Sequence, residues 1–86
     1  MDYEFSKDDI LEMYRIIGSN VKKYREKNNM SQLELTYKMG YKSVSLVSSA
    51  ELCIDGKHFN IEHLYKISII FNIEISELFK GIVTTS

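Results

Sequence analysis

The chain of 86 residues contains no proline, one cysteine and four glycines, and its formal net charge is only −1. With no proline to lock φ or remove a backbone donor, nothing of that kind interrupts a helix. No strand-like alternation persists, whereas apolar residues recur at helical spacing, so the predicted class is all-α. A single cysteine excludes an internal disulfide. No stretch approaches the roughly 18 continuous apolar residues of a membrane helix. The acidic start Met1-Asp2-Tyr3-Glu4 lacks the basic segment of a secretory leader. These absences predict a reduced, cytoplasmic protein with no membrane partner. At this length there is room for one core, which argues against a multi-step enzyme. Hydrophobic residues at 44% and charged residues at 27% are ordinary globular values and argue against disorder or a fibrous repeat.

Near-neutrality argues at first sight against a nucleic-acid partner, whose usual footprint is basic. The average conceals three unlike segments. Residues 1–14 sum to −4, residues 15–42 to +5 and residues 43–86 to −2. The basic segment holds Arg15, Lys22, Lys23, Arg25, Lys27, Lys38 and Lys42 against Glu26 and Glu34. Such asymmetry points to a surface facing a polyanion, with a merely solvated helix face as the plainer alternative.

Ile10, Tyr14, Ile17, Val21 and Tyr24 mark a first amphipathic helix closed by Asn28-Asn29. Gly18 interrupts it at a cost near 1 kcal/mol, leaving the residues before it as a separate helix or a frayed extension. Ser31 with Glu34 is a capping box that starts a two-turn second helix, with Leu35 and Met39 on one face and Gly40 at its end. Ser43 is the expected cap of a third helix over residues 44–51, whose inner side holds Val47 and Ala50. Residues 52–59, with Asp55-Gly56, read as a loop. Asn60 caps a fourth helix whose Ile61, Leu64, Ile67 and Phe71 point to the core, and Asn72 ends it. A short fifth helix over residues 76–80 contributes Leu78 and Phe79, with Gly81 and a loose polar tail after it. The expected organisation is an acidic extension at 1–13, one domain at 14–80 and a tail at 81–86, without repeats or linkers.

A basic helix, two short helices around a glycine-bearing turn and a serine-rich, acid-free third helix form a helix-turn-helix pattern, whose second helix enters the major groove. The residues that carry a closer likeness are Val21-Lys22-Lys23-Tyr24-Arg25, Met30-Ser31-Gln32-Leu33-Glu34-Leu35, Met39-Gly40, Glu51, Asn60-Ile61-Glu62-His63-Leu64 and Ile73-Glu74-Ile75-Ser76-Glu77-Leu78-Phe79. Through them residues 17–79 resemble the Cro/CI type of helix-turn-helix domain, the XRE family of bacterial and phage repressors and activators.

The resemblance implies a compact five-helix, lambda-repressor-like domain that binds double-stranded DNA as a homodimer and regulates transcription. Residues 43–51 would be the recognition helix. Gln32, Lys42, Ser43, Val44, Ser45, Ser48 and Ser49 would meet bases or phosphates, with Lys22 and Lys23 adding phosphate contacts. Serine accepts several bases, so the implied code is soft. Arg25 and Glu51 match a structural pair that joins the first helix to the end of the third. The family usually dimerises. The abundance of apolar C-terminal residues, with Ile69 among them, predicts a symmetric pair through Ile73, Ile75, Ile82 and Val83. Between Gly40 and Glu51 the chain is one residue longer than the pattern, which enlarges the turn at Tyr41-Lys42 and leaves the recognition positions open by one. Thr36 stands where the family usually has alanine.

Cys53, His58 and His63 lack a fourth metal ligand and match no compact zinc spacing, so no metal is expected. His58 with Asp55 or Glu62 lacks an oxyanion nest or phosphate loop, and neither enzyme activity, cofactor nor small-molecule ligand is expected. The competing reading is a protein-interaction module of the same fold that does not bind DNA. Operator sequence, sign of regulation and target genes are not written in the chain.

Overall fold

The structure, a computed structural model, describes residues 3–83. Among these residues there are four α-helices, α1 (Lys7–Lys27), α2 (Gln32–Lys38), α3 (Ser45–Leu52) and α4 (Ile61–Phe71), two 3-10 segments at Ile54–Gly56 and Ile75–Phe79, and no strand. The class is all-helical, as the periodicity predicts. No helix among the described residues is long and apolar enough to cross a membrane.

Ser6 opens α1 by accepting from the Asp9 amide at 3.0 Å, and Asp8 and Asp9 occupy the first turn, where the helix dipole favours negative charge. The helix then runs 21 residues without a break. Gly18 does not divide it, and the boundary expected between residues 13 and 14 falls inside it. Gly18 is instead the point where α1 meets α3. A Cβ there would lie 2.7 Å from the Glu51 carbonyl oxygen and closer still to that of Ala50, so only glycine lets the two backbones approach. Asn28 and Asn29 close the helix, with Asn29 left-handed at φ 53° and the Met30 amide returning to the Arg25 carbonyl at 3.0 Å.

The core gathers Ile17 and Val21 of α1, Leu35, Met39, Val47 and Ala50 around α2 and α3, and Leu64, Ile67 and Phe71 of α4. Phe59 and Leu78 enter it from the connections. Residues 52–59 are therefore more than a loop. Leu52 is the last residue of α3, Cys53 turns the chain at φ 54°, and a 3-10 turn delivers Phe59 to the interior.

Three expectations are corrected by this packing. The fifth helix is a 3-10 segment, Ile75–Phe79. Five residues are too few for an α-helix to offset its nucleation, and 3-10 runs of this size are common. Its place is held by buried Leu78 and by Asn20, whose amide donates to the carbonyls of Leu78 at 2.9 Å and Lys80 at 2.8 Å. Ile10 and Ile61 are in phase with their helices' core faces but stand 43% and 69% exposed. The first turns of α1 overrun the core, and Ile61 lies at the rim of the gap they leave. The third correction is the cap of α3. Val44 occupies the cap position and the third helix is Ser45–Leu52, where the sequence led to an expected span of about 43–51. Thr84, Thr85 and Ser86 of the expected tail lie outside the described residues.

Candidate nucleic-acid interface

The second helix starts on the capping box expected from the sequence. Ser31 Oγ accepts from the Glu34 amide at 3.0 Å and the Ser31 amide donates to Glu34 Oε1 at 3.1 Å. Its end is equally local in origin. Gly40 is left-handed at φ 92°, the Gly40 amide donates to the Tyr37 carbonyl and the Tyr41 amide to the Thr36 carbonyl, each at 3.0 Å. That crossed pair satisfies two orphan carbonyls and turns the chain sharply. Thr36 is fully buried, and its hydroxyl donates to the Gln32 carbonyl at 2.8 Å, so it meets its own polar requirement inside α2.

Residues 39–44 connect α2 to α3, and Tyr41 anchors this turn to α4. Lys66 Nζ lies 4.8 Å from the centre of its ring and donates to its hydroxyl at 3.3 Å, while His63 meets the ring edge-on at 5.8 Å. The turn at Tyr41-Lys42 is thus held by a specific aromatic contact.

At the far end of α3, Glu51 is buried with its side chain wholly inaccessible. Arg25 grips it with two bonds, Nε to Oε2 at 2.7 Å and Nη2 to Oε1 at 3.1 Å, and uses Nη1 on the Met30 carbonyl at 2.8 Å. Gln32 Nε2 adds a bond to Glu51 Oε1 at 2.9 Å. The hydrogen-bonded carboxylate raises the Arg25 pKa above its already high ordinary value, against the opposing effect of burial, so the guanidinium stays charged. One carboxylate therefore ties together α1, the loop before α2, the first residue of α2 and the end of α3. The resemblance implied the Arg25–Glu51 pair but assigned Gln32 to DNA. In the structure the Gln32 amide serves the clamp, a role that could be suspected only once Glu51 was known to be turned inward.

The outer side of α3 is uncharged, with serines along it and Leu52 exposed at its end. Lys42, Ser43, Val44 and Ser45 are exposed, and Ser48 and Ser49 are half-buried. Ser43 Oγ lies 2.7 Å from Ser45 Oγ, and Ser48 Oγ donates to the Ser45 carbonyl at 3.3 Å. Its one carboxylate, Glu51, is the group neutralised by Arg25. Lys22 is half-buried and borders a shallow depression of α1 with Ser19, Lys23, Glu26 and Lys27. Lys23 is exposed and also borders a second depression, with Arg15, Asn20 and Lys80. The two lysines paired in the sequence therefore share one depression, and only Lys23 reaches the second.

The residues expected at a dimer surface are also divided. Ile73, Ile75 and Ile82 are half-buried against the core, because the 3-10 segment folds back on α1 and α4, while Val83 stays exposed. Cys53 is buried. His58 stacks on Tyr14 with ring centres 3.6 Å apart. His63 Nδ1 accepts from the Asn60 amide at 3.0 Å and the Asn60 side chain accepts from the His63 amide at 2.8 Å, a reciprocal cap for α4. Burial pushes the His63 pKa below its ordinary value, with Glu62 opposing and Lys66 and His58 reinforcing. No group of three or more His, Cys, Asp or Glu side chains suited to a metal ion occurs among the described residues.

Compared with known proteins, the chain matches no protein-family model and no curated sequence.

Proposed function

We propose that this protein is a sequence-specific, double-stranded DNA-binding regulator of transcription, resembling the Cro/CI-type domains, in which α2 and α3 act as a helix-turn-helix and the 3-10 segment Ile75–Phe79 stands in for the fifth helix. The observation that carries the reading is the handling of charge on α3. Its one carboxylate is buried and paired with Arg25, leaving Ser45, Ser48 and Ser49 on a face that phosphates do not repel, with Lys42 ahead of it. Lys22 and Lys42 hold phosphates, and the serines and Val44 meet base edges. Gln32 contributes chiefly by fixing Glu51. With no long polar side chain on α3, discrimination rests on serine contacts, DNA shape and the spacing of two copies.

Binding of a random duplex at low salt tests this reading. Detectable affinity that falls steeply with salt is expected. Lys22→Ala and Lys42→Ala should weaken all sequences alike and each lower the salt slope by about 1. Ser45→Ala and Ser48→Ala should alter preference among sequences instead. No binding at low salt overturns the reading.

A second reading has its own support. Leu33, Tyr37, Val44, Leu52 and Ile54 are exposed on and around α2 and α3, more apolar surface than phosphate contact requires. It favours a module that uses these helices on a protein partner. Loss of that partner, with DNA binding absent, on Tyr37→Glu would select it.

A further inference from the structure

The first turns of α1 extend past the core and leave an apolar groove beside them. Met13, Tyr14 and Ile17 form one wall, and Phe59, Ile61 and Leu64 the other, around a volume of about 380 Å³. Ile61 is 69% exposed at the rim and Ile10, two turns before buried Ile17, is 43% exposed. The chain also carries a segment suited to such a groove. Tyr3 and Phe5 precede α1, are 75% and 76% exposed, and stack on each other with ring centres 6.2 Å apart. Alternation in extended backbone puts these rings on one side and Glu4 on the other. His58 lines the groove and Lys57 precedes it, a basic margin for an acidic arm.

We propose that the chain pairs with a second copy by exchanging these arms, the Tyr3 and Phe5 rings of each copy seated in the groove of the other. The arm of the same chain leaves its rings in solvent, and Ser6, extended at φ −82° and ψ 155°, is committed to capping α1. Residues 3–6 span about 13 Å at ~3.3 Å per residue, enough to lay two rings along a groove. Two arms bury about 600–1,000 Å² of aromatic surface, at ~150–250 Å² per ring, and the two concave grooves contribute a smaller area. The sum approaches the lower limit of about 1,200 Å² for a specific interface. Two-fold exchange gives a closed dimer. It replaces the surface at Ile73, Ile75 and Ile82, which the chain uses for itself, and holds whether or not the protein binds DNA.

Sedimentation of the full chain and two exposed-site variants tests the exchange. The wild type should be dimeric at micromolar concentration. Phe5→Asp, which removes the arm's ring, and Ile61→Asp, which charges the groove, should each weaken association by about 30-fold or more while the helical circular dichroism is unchanged. An equimolar mixture of the two should partly recover the dimer, because it contains one intact groove and one intact arm that fit each other. A monomeric wild type at ~100 μM, wild-type dimerisation by either variant, or no recovery in the mixture would each overturn the proposal. The first outcome includes an arm folded onto its own groove.

Discussion

At the scale of single residues, the Arg25–Glu51–Gln32 clamp is where stability is most concentrated. Both charges are buried and hydrogen-bonded, so removing one leaves the other uncompensated. Glu51→Ala should cost about 3–5 kcal/mol, read as a lower urea midpoint. Gln32→Ala should cost about 1.5–3 kcal/mol, and the two losses should be far from additive. Gly18→Ala makes the opposite point about propensity. Alanine gains about 1 kcal/mol in a helix interior, yet the added methyl meets the backbone of α3. A net loss of about 1–3 kcal/mol is expected from overpacking, and a gain in Tm would contradict the close approach.

His63 gives the residue scale its pH dependence. Its Nδ1 accepts from the Asn60 amide, which requires the neutral ring with the proton on Nε2. Its folded pKa lies below the unfolded value of 6.5, so the unfolded chain takes up the proton first. The stabilisation is complete above that value and is lost as pH falls through the depressed folded pKa. Thermal unfolding at pH 7.5 and pH 5 should show a larger fall for wild type than for His63→Gln, which cannot titrate. Equal falls would dismiss the role.

At the scale of elements, local chemistry was legible wherever a short-range rule decides the outcome. The Ser31/Glu34 box, the turn at Gly40 and the Asn60 cap each involve a few neighbouring residues, and each was readable from spacing. What was not legible depended on distant surfaces. Ile10 and Ile61 follow the helical period, but period alone does not say how far a neighbouring helix extends to cover them. Gly18 looked like an interruption because its partner lies some thirty residues away, although a glycine inside a periodic helix is also a known sign of close packing. The fifth helix became a 3-10 segment because Asn20, remote in sequence, supplies its terminal partners. The candidate site followed the same pattern, with the lysine and serine positions visible in the chain, the Arg25–Glu51 pair implied by the resemblance, and the inward turn of Gln32 visible only in the fold. Tyr41 connects this scale to function. Tyr41→Ala releases the turn from α4 and should cost about 0.5–3 kcal/mol, with DNA affinity falling further than stability alone accounts for. Equal effects on both would make Tyr41 merely a core residue.

At the scale of the whole molecule, the charge of −1 is a balance between acidic residues 1–14, a basic stretch over residues 15–42 and mildly acidic residues 43–86. The proposed activity relies on that partition and on the burial of the α3 carboxylate. Acidic flanks limit the attraction that one copy exerts on DNA, and salt screens what remains over about 8–10 Å at physiological strength. On the proposed reading a pair of copies offers two such faces, which would make dimerisation and DNA affinity linked quantities. Fluorescence anisotropy of a random DNA duplex, titrated with wild type, Lys22→Ala and Lys42→Ala from about 20 to 200 mM salt, tests this account most directly. It predicts binding at low salt, a steep linear loss of log affinity with log salt, and a slope shallower by about one in each variant. Absence of binding at 20 mM salt, or slopes unchanged by both substitutions, would contradict it.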